Sequence, residues 1–337
     1  MKRLLLALLF LLPLIAGAQA QDKPVALKIS LWIPASLPLV PAYTEWGQSM
    51  QQASGGTIQS TVFPSEMLGK AFDHYDMARD GIVDVAYVNP GYQPGRFPII
   101  ALGQIPFTFR DGHSGTQAID AFYRKYAEKE MKDVHFCFAF IHDPGTLHSR
   151  VRIATPADLK GVKVRPAQST VGEMVTLLGG TNVQASAPEA RGAIERGVAD
   201  AIFFPWNSMF NFGIDKVVKY HLDVPLYTSV FVTVMNKAKY EAMSPAQKKV
   251  VDDHCTTEWA EKVAGPWTDF EAAGREKMRQ QAGHEFVELT DAQVAEWRAS
   301  VGPLFSRWKD SVKAVGTDPD QAAAELKAAI AKYEAAK

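Results

Sequence analysis

The chain has 337 residues, 47% of them hydrophobic and 22% charged, with a formal net charge of −1 at neutral pH. So nearly neutral a chain lacks the basic field that holds nucleic acid, and nucleic-acid binding is set aside. The length exceeds what one hydrophobic core usually serves, so two lobes are expected.

Lys2 and Arg3 precede an apolar run over 4–16, which ends in small residues with Ala18-Gln19-Ala20 as an A-x-A cleavage site. The pattern predicts a secretory signal over 1–20, a mature chain beginning near Gln21 and a periplasmic location. The run is shorter than the roughly 20 apolar residues that span a bilayer. An uncleaved anchor is the alternative; a lipoprotein is disfavoured, because no cysteine lies near the site. Losing Lys2 and Arg3 takes the formal charge from −1 to −3. The two cysteines, Cys137 and Cys255, are either bonded to each other in an oxidising compartment or simply buried, and they offer no CxxC or zinc spacing.

Residues 25–32 alternate apolar and polar positions before Pro34, predicting a strand and a loop. Helical spacing over 41–54, closed by Gly55-Gly56, is followed by a second alternating strand over 57–63. A helix over 71–80, a stop at Gly81 and the apolar run 83–88 repeat the logic, and this alternation implies a parallel α/β sheet. A longer helix is predicted over 114–132 and a buried strand over 134–140. Thr155-Pro156-Ala157-Asp158 supplies an N-cap, a proline at N1 and an acid at N3, with a stop at Gly161. Strands over 162–164, 182–183 and 199–204 then alternate with helices over 169–178 and 188–196. Capping boxes at Ser244 and Thr290 open a long helical stretch toward Gln281 and a helix through Trp297, and 320–337 reads as a final amphipathic helix. The expected division is 21–145 mainly in a first lobe and 146–235 mainly in a second, with 236–337 helical and packed across both.

The run from Thr155 through Arg165 to Pro166, TPADLKGVKVRP, resembles the signature of TRAP transporter receptors, the dicarboxylate-binding family of tripartite ATP-independent periplasmic transporters. Phe63-Pro64-Ser65-Glu66-Met67-Leu68-Gly69-Lys70 resembles that family's early loop, and Arg79-Asp80-Gly81-Ile82-Val83-Asp84 its helix-to-strand step. Ala193-Ile194-Glu195-Arg196-Gly197-Val198-Ala199-Asp200 resembles its helix ending in a glycine and an aspartate. The resemblance covers essentially the mature chain. It implies a two-lobe α/β periplasmic binding protein fold with mixed sheets and a long helix behind the hinge. It also implies capture of a small organic carboxylate for membrane permease subunits, with Arg165 pairing to the carboxylate. The chain departs from the family in two places. Phe204 stands where relatives usually carry an asparagine, and where many relatives carry an arginine around Gly145-Thr146-Leu147-His148 none stands at the matching place, although Arg150 and Arg152 lie nearby. Both departures point to an aromatic or otherwise apolar monocarboxylate.

Elementary chemistry supports the anchor independently. A guanidinium at the end of a buried strand stays charged and offers paired donors that match a carboxylate. Trp32, Tyr87, Tyr92, Phe204, Trp206 and Phe210 fall at strand ends or in the loops after them, where α/β clefts form, although aromatic residues fill cores as well. Asn89 and Gln168 are candidate polar contacts, and His148 is a candidate pH-dependent donor. No nucleophile elbow, metalloprotease helix, dinucleotide loop or P-loop occurs, so no enzyme chemistry, cofactor or metal is expected. His74, Asp76 and Asp80 share a helix but not one face of it, which reads as a solvated surface, and the adjacent His142 and Asp143 read as ordinary loop residues. The competing functions are a receptor that presents its ligand to a sensor kinase and an exported α/β hydrolase or lyase.

Overall fold

The computed structural model describes residues 22–336. The predicted export signal, with Ala18-Gln19-Ala20, lies outside the described residues.

The chain first builds one sheet from β1 (Val25–Ser30), β2 (Ile58–Phe63), β3 (Val85–Val88) and β4 (Val134–Ile141). It then crosses to a second sheet made of β5 (Thr146–Ser149), β6 (Lys163–Arg165), β7 (Thr181–Asn182), β8 (Ala201–Phe204) and β9 (Tyr220–Leu222). β10 (Val230–Asn236) returns to the first sheet, and β11 (Glu285–Val287) joins the second. The strand orders are β2-β1-β3-β10-β4 and β11-β9-β5-β8-β6-β7. β1 runs parallel to β2 and β3, as strand–helix alternation requires, but β10 lies antiparallel between β3 and β4. The second sheet is mixed as well, with β6 parallel to β7 and β8, and β5 antiparallel to β8 and β9.

β10 has no counterpart among the predicted elements. Its sequence, VFVTVMN, is buried at every position, so no polar face reveals a period of two. Its return to the first sheet sets the crossing ahead of residue 235, and β11 places in the second lobe a stretch expected to be helical. The N-cap motif at Thr155 makes only a 3₁₀ turn, Pro156–Leu159; Asp158 accepts from the Ala154 and Thr155 amides, and Gly161, at φ +77°, turns the chain toward β6. The helix predicted over 114–132 spans Gly112–Tyr123, with a separate turn at Ala127–Glu130.

The long helical stretch after Ser244 is three helices, Pro245–His254, Thr257–Ala272 and Gly274–Arg279. The first break falls at Cys255, which leaves the helical conformation and is bonded to Cys137 on β4, while the Thr256 hydroxyl caps the next helix. The cysteines are therefore paired, across a loop of 118 residues.

Helix Thr257–Ala272 packs on β4 and on helices Leu39–Ala53 and Gly112–Tyr123 of the first lobe. Just beyond its C-terminal end, the chain meets the second lobe so closely that a Cβ at Gly274 would fall 2.3 Å from the Asn207 amide nitrogen. Helix Pro319–Glu334 covers Gly112–Tyr123 from outside. Among the described residues no helix is long and apolar enough to cross a membrane.

Candidate functional site

The carboxyl ends of the parallel strands face one another between the lobes, the position at which open α/β sheets bind ligands. The chain following β1 supplies Trp32; Tyr87 on β3 and Asn89 and Tyr92 beyond it come from the same lobe; β6 supplies Arg165 and β8 supplies Phe204 from the other lobe. These six predicted residues line one cavity with Tyr227, Phe231 and Trp267, with 30 Å³ of room for the centres of water molecules, which is enough for one or two. The lobes are in contact around it. A Cβ on Gly91 of the first lobe would fall 2.3 Å from Gln168 Cβ of the second, so glycine is needed for this approach.

Arg165 is 1% exposed. Its Nε donates to Ala185 O at 2.9 Å, Nη1 to Phe203 O at 3.3 Å and Nη2 to the Tyr92 hydroxyl at 3.1 Å. Three of the five N–H groups are thus occupied, leaving one on each terminal nitrogen. None of these acceptors is a carboxylate. Burying a guanidinium without a carboxylate is costly, and an anionic ligand would relieve that cost. The Tyr92 hydroxyl also accepts from the Ala187 amide at 3.0 Å, so both its lone pairs are used and its proton remains to be donated. Burial raises the Tyr92 phenol above its usual range, which keeps that proton in place.

Asn89 has a structural duty: its carbonyl oxygen accepts from the Gly91 amide at 2.9 Å, and its amide reaches Ala167 O across the cleft at 3.4 Å. Gln168 lines the outer groove and not the cavity. It donates to Thr228 O at 3.0 Å and accepts from the Ser229 hydroxyl at 2.7 Å, acting as a latch between the lobes. That groove, of 480 Å³, meets the cavity at Tyr92 and Ala167.

Three predicted contacts lie away from the cavity. Trp206 stacks on Phe286 with ring centroids 5.4 Å apart and meets His148 edge-on at 4.9 Å, beside β9 and β11 at the end of the second sheet away from Arg165. Phe210 sits under Lys277. Both ring nitrogens of His148 are occupied, by Phe204 O at 3.1 Å and His221 at 2.8 Å, and burial lowers its pKa to about 3, which leaves it neutral and unable to act as a pH-dependent ligand donor. Strand order explains the difference: His148 on β5 and Arg165 on β6 flank Ile202 of β8 in register and share a face, but His148 stands on the side toward β9, two strands from Arg165, and Phe210 lies on the helix Ser208–Phe212. His74 is also a correction, since it is fully buried and bonded to Tyr87 O at 3.1 Å, whereas Asp76 and Asp80 pair with Arg79 at the surface.

Tyr227, and His142 as a cavity residue, were not among the predicted contacts. Both lie where the chain passes between the sheets, and recognising β10 would have placed Tyr227 just before a central strand. His142 Nε2 accepts from the Ser229 amide at 2.9 Å, which leaves the proton on Nδ1 for Asp143 O; burial lowers its pKa to about 4. Behind the cavity, the Glu271 carboxylate accepts from the Asn207 amide at 2.6 Å, from Trp267 Nε1 at 2.7 Å, and from the Ser208 amide and hydroxyl. Burial raises its pKa to about 7.

The sequence profile of bacterial extracellular solute-binding protein family 7 matches residues 30–311. A TRAP solute-binding protein from Rhodoferax ferrireducens T118, solved with copurified benzoate, is 27% identical with a TM-score of 0.86, covering 93% of this chain and 99% of its own. A marine metagenome TRAP solute-binding protein specific for aromatic acid ligands, solved with metahydroxyphenylacetate, is 31% identical with a TM-score of 0.84, covering 92% and 99%. The 2,3-diketo-L-gulonate-binding periplasmic protein of Escherichia coli K12 is 24% identical over 208 residues, which are 60% of this chain and 63% of that protein's length.

Proposed function

The chain belongs to bacterial extracellular solute-binding protein family 7, and from that membership we propose that it is the receptor of a TRAP transporter, closing around an aromatic monocarboxylate and delivering it to the membrane permease. The observation that carries the ligand class is Arg165, a buried guanidinium whose hydrogen-bond acceptors among the described residues are two carbonyls and a phenol, with no carboxylate, in a cavity otherwise walled mainly by aromatic rings.

Capture follows from the geometry. The free N–H groups of Arg165 take the two carboxylate oxygens as a fork, and the Tyr92 hydroxyl donates a third hydrogen bond. Arg165 and Tyr92 come from different lobes, so the complete anion site exists only when the lobes are closed. An acid that binds this site therefore favours closure by its differential affinity for the closed state. Phe204, near the guanidinium with its ring centroid 5.8 Å from Cζ, replaces a polar wall with an aromatic one and suits a ring. The family consists of solute-binding receptors, which supports binding and release without chemistry. The N-terminal signal supports a periplasmic place of work.

A thermal-shift screen of the mature protein against organic acids tests the reading, since a ligand bound only by the folded state raises its melting temperature. Aromatic monocarboxylates are expected to stabilise it more than sugar acids or C4-dicarboxylates do. Arg165→Ala should remove the response, because truncating one partner of a buried charge pair costs about 2–5 kcal/mol, on the order of thirty-fold to a few thousand-fold in affinity. A response that survives Arg165→Ala, or one confined to sugar acids, would refute the proposal.

A further inference from the structure

Three of the donors that line the cavity have no hydrogen-bond partner among the described residues: Trp32 Nε1, the Tyr87 hydroxyl and the Tyr227 hydroxyl. All three side chains are at least nine-tenths buried, and a buried polar group left unmade costs more than a typical hydrogen bond gains. Nearly every other buried polar group around the cleft is matched: Asn89, Gln168, Ser229, His142 and Tyr92 each have named partners. Unmade donors gathered in the one cavity that holds the anchor point to a bound group.

The three divide by position. Tyr227 packs edge-on against Phe203, whose carbonyl accepts from Arg165, with ring centroids 5.5 Å apart, so Tyr227 belongs to the anion end. Tyr87 stacks instead on Phe231 and Phe140 of the first sheet, with centroids 5.0 and 5.8 Å away. Its ring lies 4.9 Å from that of Trp32, and neither side chain is among the hydrogen-bond partners of Arg165. The cavity therefore has a second polar pole, made of an indole N–H and a phenol.

We infer that the ligand carries, besides its carboxylate, an oxygen substituent on its aromatic body, a hydroxyl or a ketone, held by Trp32 Nε1 and the Tyr87 hydroxyl. The element follows from the donor set. An indole N–H can only donate, so the group facing it must accept, and an ammonium cannot. A phenol can donate or accept, so a hydroxyl or a ketone oxygen satisfies the pair. An unsubstituted ring would leave both donors desolvated. A site built to hydrogen-bond a substituent discriminates strongly against the analogue that lacks it. This inference rests on the aromatic-carboxylate reading of the same cavity and deepens it.

Calorimetric titration of the mature protein separates the two. Benzoate and phenylacetate are compared with 3-hydroxybenzoate, 4-hydroxybenzoate, 3-hydroxyphenylacetate and 4-hydroxyphenylacetate, in the parent, Tyr87→Phe and Trp32→Phe proteins. Unliganded melting curves establish that each variant folds. At least one oxygen-bearing acid should bind about tenfold or more tightly than its unsubstituted counterpart, and both variants should bring that ratio to within about twofold. The ratio is the readout because lost packing weakens both acids together. Equal affinity across every pair overturns the inference while leaving the receptor reading intact, as does a ratio that persists in both variants. If no acid binds, both readings fall.

Discussion

In the second lobe Arg165 and three histidines are tied down: Arg165 spends three N–H groups on protein acceptors, and His148, His221 and His284 form a hydrogen-bonded chain with contacts of 2.8 and 2.9 Å. Phe204 O can only accept, so His148 carries its proton on Nε2, and His221 and His284 must then each donate from Nδ1. In the first lobe, Trp32 Nε1 and the Tyr87 hydroxyl face the cavity without partners, and the deeply buried ionisable groups away from it include the acids Asp120 and Glu130. On the proposed reading the difference gives the lobes separate tasks. One would hold a charge anchor that every ligand shares, and the other would offer open donors that only some ligands satisfy.

The largest expected effect breaks the comparison at the first lobe, which alone carries the disulfide, from β4 to the start of helix Thr257–Ala272. Closing a loop of 118 residues restricts the unfolded chain by about 4–5 kcal/mol in the chain-entropy view. Cys137→Ser with Cys255→Ser, or reduction, should lower the melting temperature by many degrees and leave the second lobe the more protected of the two in hydrogen exchange. Uniform loss of protection across both lobes would show that they unfold as one unit.

The same contrast explains what could be read from the sequence. Strands and helices of the α/β units announce themselves through alternation, glycine stops and capping boxes, so β1, β2 and β6 and the capped helices were legible to within a few residues. β10 was not, because a strand buried on both faces has no period. The break at Cys255 was not, because it depends on a partner 118 residues away. Arg165 and five aromatic or amide neighbours share one cavity because strand ends converge on a cleft. Trp206, Phe210 and His148 lie outside it because strand order, which local pattern does not reveal, decides how far along the sheet a residue stands from Arg165. Tyr227 depended on β10.

A middle-sized effect sharpens the contrast through pH. Burial raises the Glu130 pKa from 4.5 to about 7, so what it contributes to folding is fully present below 4.5 and lost as pH rises through about 7. Burial lowers His148 from 6.5 to about 3 and His221 to about 2, so their contribution is present above 6.5 and lost as pH falls through those values. Melting temperature should therefore decline on both sides of an intermediate pH. Glu130→Gln should flatten the alkaline limb, and His148→Gln the acid limb. A variant whose profile runs parallel to the parent's would show that its residue does not set that limb. Glu271 adds to the alkaline limb from the seam between the lobes, because burial raises it to about 7 as well.

The smallest effect concerns the latch. Gln168 joins the lobes through Thr228 O and the Ser229 hydroxyl, and it does not line the cavity. Hydrogen bonds of this kind contribute about 1 kcal/mol each net of solvent, so Gln168→Ala should weaken the closed state by roughly 1–2 kcal/mol. On the proposed reading binding requires closure, so the cost falls on all ligands alike: affinity should drop about five- to thirty-fold, mostly as faster release, while the ranking of acids stays unchanged. Arg165→Ala should abolish binding, and Tyr87→Phe should change the ranking. Stopped-flow release rates for two acids of different affinity distinguish these cases. A change of ranking in Gln168→Ala would place this side chain in contact with the ligand and end the separation between holding the lobes shut and reading what lies between them.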